Sequence, residues 1–86
     1  MLMQWVLANN KMMKGSMARY IVTKKPQENG NHIVHNLGTW CPDLPDSVDQ
    51  KSLGNFPTCQ AAMREAKKHF QEVNGCFKCS RACFVG

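Results

Sequence analysis

Tyr20-Ile21-Val22-Thr23-Lys24-Lys25-Pro26-Gln27-Glu28-Asn29-Gly30-Asn31-His32-Ile33-Val34-His35 reads as two strands about a turn, and the rest of the chain arranges itself around them. Tyr20 to Thr23 is aromatic and β-branched, the residue types that suit a pleated, half-buried surface. Pro26 to Asn31 is turn chemistry, with Asn29-Gly30 supplying the left-handed position. His32 to His35 returns as the second strand, which makes a hairpin.

Beyond the hairpin, Gly38 to Asp49 contains Pro42, Pro45 and three aspartates and reads as a loop. Ser52 to Phe56 is a short third strand. A helix follows: Pro57 precedes it, Thr58 is the N-cap, and Cys59 to Val73 carries the helical period. At 100° per residue Cys59, Ala62, Met63, Ala66, His69, Phe70 and Val73 share one face, and Arg64, Lys67, Lys68 and Gln71 the other. Asn74-Gly75 is a C-cap signal. The expected fold class is therefore α+β: a β-hairpin or three-stranded sheet packed on one main helix, with a cysteine-rich C-terminal knuckle. No internal repeat or low-complexity tract is present.

In front of this domain, Met1–Ser16 holds four methionines and ends in Lys14-Gly15-Ser16. Lys-Gly codons can contain a purine-rich ribosome-binding sequence, here just upstream of the Met17 codon. Residues 1–16 are accordingly expected to be a leader, disordered or peripheral, and 17–86 a single small domain. A short amphipathic helix carrying Leu2, Trp5 and Val6 is the rival reading of that segment.

Eighty-six residues allow one domain, and a chain this short often needs a staple of disulfides or metal. Five cysteines are available. The odd count argues against a secreted disulfide scaffold. Met1–Ala8 lacks the basic region and cleavage site of a signal peptide. No run approaches the ~18–20 apolar residues of a membrane span. A cytoplasmic setting is expected, and clustered cysteines there more often bind metal than cross-link. The formal charge of +5 falls to +3 when Lys11 and Lys14 are set aside with the leader. A zinc ion on four thiolates would lower it further, so the basic balance says little about nucleic acid.

Cys76-x-x-Cys79 carries the main chemical signal. A two-residue spacer lets both sulfurs face one ion while the backbone amides between them turn toward the thiolates. Cys41 is the expected third zinc ligand, and His35 and Cys83 compete for the fourth place. A closed set of either kind marks a structural site. A disulfide among Cys41, Cys76, Cys79 and Cys83, or an iron–sulfur cluster on the four, are the other readings. Redox exchange at Cys76/Cys79 is disfavoured because the motif follows a helix rather than preceding one. Cys59 reads as a small core hydrophobe, His69 as a packed or half-exposed side chain, and His32 as solvent-facing or a cap on the hairpin turn. Trp40 either covers the knuckle, the preferred reading, or offers a contact surface.

The run Asn29-Gly30-Asn31-His32-Ile33-Val34-His35, Cys41-x-x-Leu44-Pro45, Leu53-Gly54-x-Phe56-x-x-Cys59-x-x-Ala62 and Gly75-Cys76-x-x-Cys79-x-x-x-Cys83 resembles a group of small uncharacterised bacterial proteins. More distantly, His35, Cys41, Phe56-x-x-Cys59-x-Ala61 and Cys76-x-x-Cys79 are similar to the amino-terminal zinc module of the Ada DNA-repair protein. That resemblance implies a zinc ion held between the residues ahead of a short strand and helix and a closing C-x-x-C. The first pair is separated here by Asn36 to Trp40, five residues where those modules have three.

No Ser-His-Asp grouping, phosphate-cradling glycine loop or paired helical carboxylates occurs, so a non-catalytic role is expected. The leading reading is a small binding or adaptor domain for a protein partner, stabilised by zinc. A nucleic-acid module using Arg64, Lys67 and Lys68, with Lys78 and Arg81 in support, comes second. A thiol-based redox protein with a disulfide comes third.

Overall fold

The computed structural model describes residues 17–86; the leader expected over Met1–Ser16 lies outside the described residues. Strands β1 (Ala18–Thr23) and β2 (His32–Asn36) form the hairpin, with Tyr20 opposite Asn36 and Val22 opposite Val34. Its turn is locked locally. Asn29 Oδ1 accepts from the Asn31 amide at 2.9 Å, Gly30 N–H bonds Gln27 O at 2.8 Å, and Gly30 takes φ +93°, a region L side chains rarely adopt.

A single 3-10 turn, Ser47–Asp49, leads into β3 (Gln50–Phe56), two residues longer than expected. It runs antiparallel to β1 on the side away from β2. Tyr20 pairs with Gly54 and Ile21 with Ser52, leaving Leu53 as the extra residue of a β-bulge. Helix α1 spans Cys59–Ala66, capped by Thr58, whose side chain accepts from the Ala61 amide at 3.2 Å.

The helix ends well short of the expected Val73. Lys68 and His69 bond back three residues, to Glu65 and Ala66, and the chain leaves in tightened turns. The apolar period continues through Phe70 and Val73 because both still face the core, but in another conformation. Phe70 stacks on His32 at 3.7 Å between ring centroids. His32 is therefore half-buried, with Nδ1 2.8 Å from Thr23 O, rather than solvent-facing.

Asn74-Gly75 is not a helix cap. Val73–Gly75 forms a fourth strand, β4, parallel to β2 with Val34 opposite Gly75. The sheet order is β3-β1-β2-β4. A parallel neighbour cannot be reached by a tight turn; the excursion through β3 and α1 provides the crossover.

Strand alternation splits the interior in two. On one face Tyr20, Val22, Val34 and Leu53 pack against Cys59, Ala62 and Ala66 of α1. Ala62 and Ala66 are fully buried and small enough to let the helix lie close to the sheet. On the other face Ile33 packs with Cys76, Cys79 and the half-buried Cys41. That second core is built largely of sulfur.

The C-terminal segment is tied back twice. Cys59 at the start of α1 is bonded to Cys83 in the 3-10 turn Arg81–Cys83. Asn74 is buried and its amide treats Val85 as a strand would, accepting from Val85 N and donating to Val85 O, both at 2.9 Å. No helix among the described residues is long and apolar enough to cross a membrane.

Candidate metal centre

β2 and β4 run in the same direction, so their C-terminal ends lie side by side, and each delivers a donor there. His35 is the penultimate residue of β2 and faces away from α1. Cys76 follows β4 immediately, its amide bonded to Val34 O at 3.0 Å. Cys41 returns from the loop after β2, which turns where Gly38 N–H bonds Asn36 Oδ1 at 2.7 Å. Cys79 closes the knuckle, held by the Ser80 amide on Cys76 O at 2.9 Å.

Gly75 is what lets the knuckle fold back so tightly. A Cβ there would sit 2.7 Å from both Ser80 O and Cys83 Cβ.

The four donor atoms lie within 4.8 Å of one another. Cys79 Sγ is 3.4 Å from His35 Nδ1, Cys41 Sγ is 3.8 Å from the same nitrogen, and Cys41 and Cys76 Sγ are 3.6 Å apart. His35, Cys76 and Cys79 are 2%, 4% and 9% exposed, so the group is closed on most sides. Backbone amides point at the sulfurs: Asn36 N–H to Cys79 at 3.3 Å and Lys78 N–H to Cys76 at 3.4 Å. Such a group could hold a metal ion.

The two buried thiols differ in their electrostatics. Burial pushes the Cys76 thiol up, but the amides of Cys79 and Lys78 and hydrogen bonds with Cys41 and Cys79 outweigh it and hold the group below its ordinary value. Burial pushes Cys79 up to about 12, against the Asn36 amide and with the neighbouring sulfurs adding to the rise. Stacked thiolates repel, so several cannot ionise together at neutral pH without a cation between them. Burial also lowers His35, opposed by the carboxylate of Asp43. Tyr20, whose hydroxyl accepts from Asn36 Nδ2 at 3.4 Å, is raised by burial and by Cys79.

Of the residues singled out from the sequence, His35, Cys41, Cys76 and Cys79 come together, and Cys83 does not. Cys83, the rival for the fourth position, is bonded to Cys59, which is thus a cross-link as well as a core residue. The disulfide expected as an alternative involved only the other four cysteines. Cys59 lies on the apolar helix face, and an apolar face hides a bond as readily as it hides a thiol. Parity held the clue: with three cysteines and one histidine as a set, two cysteines remain to pair.

Trp40 does not cover the knuckle; it is 82% exposed. Arg64, Lys67 and Lys68 are exposed on α1 and the turn after it. Lys68 pairs with Glu65 at 3.2 Å, and His69 with the same carboxylate at 3.6 Å. These basic residues belong to the helix side of the sheet, and the His/Cys group to the other. No protein-family model matches the chain, and no match to it was found among curated proteins or solved structures.

Proposed function

We propose that the chain is a small binding or adaptor domain for a protein partner whose second core is a structural zinc site on His35 Nδ1, Cys41, Cys76 and Cys79. One observation carries this reading, the spacing of the donors. Zinc–sulfur and zinc–nitrogen bonds of about 2.3 and 2.05 Å at tetrahedral angles separate ligand atoms by about 3.8 Å (S to S) and 3.6 Å (N to S). Three of the six separations, 3.4, 3.8 and 3.6 Å, lie within about 0.2 Å of those values, and all four donor atoms lie within 4.8 Å of one another. The soft, nitrogen-and-sulfur donor set favours zinc over the hard cations. Four protein donors complete the tetrahedron and leave no open position, which supports a structural over a catalytic role. These four are among the residues on which the likeness to the Ada zinc module rests, with Phe56, Cys59 and Ala61.

The Cys59–Cys83 bond favours the redox reading enough to weigh it. It stands beside three thiols, two of them with sulfurs 3.6 Å apart. Zinc has no redox chemistry of its own and commits the sulfur lone pairs, which accounts for a bond in one place and thiols in the other. Cys76 and Cys79 are also buried, which supports a closed site over an exchanging pair.

The test is intact mass of the full chain, native and then denatured, without reductant. The expected result is a native excess of one zinc ion that is lost on unfolding, leaving one disulfide and three thiols open to alkylation. A native mass with no metal, from protein prepared with zinc present, sinks the proposal.

A further inference from the structure

A cavity of about 270 Å³ adjoins the proposed zinc site, with His35 and Cys76 in its wall. Ile33, Pro26, Phe77 and Phe84 line it with apolar surface, and Asp43 stands at its side. Phe77 and Phe84 meet edge to face at 5.2 Å. Its volume falls below the roughly 300–1,000 Å³ of sites for drug-sized ligands, so it suits one side chain or one amide rather than a cofactor.

His35 gives the cavity a specific donor. Its Nδ1 faces the sulfurs of Cys79 and Cys41. Its Nε2 has no hydrogen-bond partner among the described residues. Among the described residues Ser80 Oγ is the only fully sealed side-chain polar atom without a partner, so Nε2 is not fully sealed, and the cavity is the space His35 lines. A histidine that ligates zinc through one nitrogen carries its proton on the other, and that N–H is almost always given to an acceptor. Here His35 is 2% exposed and that donor has no acceptor among the described residues.

Asp43, also in the cavity wall, is an exposed acceptor, paired only loosely with Lys78 at 3.9 Å. An ionised carboxylate accepts at several positions, so this pairing leaves it free to accept again. One donor, one acceptor and apolar walls match a peptide unit with an apolar side chain. A carboxylate ligand would satisfy His35 but would meet Asp43 and the anionic thiolate set.

We propose that this cavity is a docking site for an extended, apolar peptide segment of a partner protein, whose carbonyl accepts from His35 Nε2–H and whose N–H donates to Asp43. This rests on the zinc reading, because metal at Nδ1 is what fixes the proton on Nε2. It makes the zinc site both the staple of the fold and the source of a recognition contact.

The test is amide NMR of the zinc-loaded full chain titrated with N-acetyl-phenylalaninamide, its zinc content checked by native mass before and after. The expected result is a saturable shift centred on Ile33, Asp43, Phe77 and Phe84, with a Kd of about 1 mM for a ligand of this size. Asp43→Ala and Phe77→Ala, both at exposed positions, should each weaken it about tenfold while zinc stays bound. Absence of saturation at ten times that concentration, with zinc present, overturns the docking site and leaves the zinc site standing. Tighter binding of N-acetyl-phenylalanine than of its amide overturns the peptide in favour of an anion. Loss of zinc from the untreated protein would instead count against the metal reading itself.

Discussion

His35 holds the second core together through one buried ring, 2% exposed, with Nδ1 shared between two sulfurs. His35→Ala should cost at least about 100-fold in zinc affinity, beyond the 10–100-fold typical of losing an outer partner, read by competition with a chromophoric chelator. His35→Cys should retain the metal, since four thiolates also close a tetrahedron. Unchanged affinity in the alanine variant would remove His35 from the site.

The same residue sets a pH dependence. Burial holds its pKa below the ordinary imidazole value, against a smaller pull from Asp43, and the proposed coordination would act in the same direction. The folded protein therefore binds fewer protons than the unfolded chain. The stability that His35 contributes is fully present above about pH 6.5 and is lost as the pH falls through its lowered folded pKa. Urea midpoints at pH 7.5 and 5.5 should show that fall; a flat profile would mean that His35 is charged in the folded state.

At Gly75 the constraint is steric. Gly75→Ala places a methyl 2.7 Å from a carbonyl oxygen and from a disulfide Cβ, where backbone and not a flexible side-chain end has to give. A loss of about 1–3 kcal/mol is expected, as for other overpacked sites, together with weakened metal retention because Cys76 and Cys79 follow directly. Chemical denaturation with and without zinc measures both.

Among the elements, α1 is shorter than its apolar period predicts, and its replacement by turns after Ala66 is what lets Val73 reach β2. Its attachment is covalent as well as apolar. The Cys59–Cys83 bond closes a loop with a sequence separation of 24, for which unfolded-chain entropy gives about 3.5 kcal/mol. Cys59→Ala/Cys83→Ala should lose about that much in urea denaturation, less whatever core packing recovers, while still binding one zinc. A double variant that no longer binds metal would show that the bond, and not the ligand spacing, assembles the site.

For the molecule as a whole, two small cores share one sheet. The first holds two fully buried valines and two alanines, a modest hydrocarbon core for a domain of this size. The second is the one that the proposed zinc ion would hold. Removing zinc with a chelator should therefore unfold or loosen the knuckle and free three thiols. Under air, Cys41 and Cys76, whose sulfurs are 3.6 Å apart, should then oxidise to a second disulfide. Circular dichroism follows the first change and alkylation mass shift the second. A chelated protein that keeps its melting curve would show that the ion contributes nothing to the fold.

What could be determined from the chain alone was what is local. The hairpin follows from β-branched alternation and the Asn29-Gly30 turn, the N-cap from Thr58, and the cysteine pair of the candidate metal group from the two-residue spacer of Cys76 and Cys79. Each depends on residues within a few positions of one another, where backbone preference and side-chain reach suffice. The parallel pairing of β4 with β2, the Cys59–Cys83 bond and the place of His35 ahead of Cys83 were decided only by tertiary structure. In each case the partners are tens of residues apart. Sequence shows that Val73 and Phe70 want burial and that five cysteines are available, but not which partner each will meet. That choice belongs to the sheet: once β4 lies beside β2, their ends converge on His35 and Cys76, and Cys83 is carried to the opposite face, within bonding distance of Cys59.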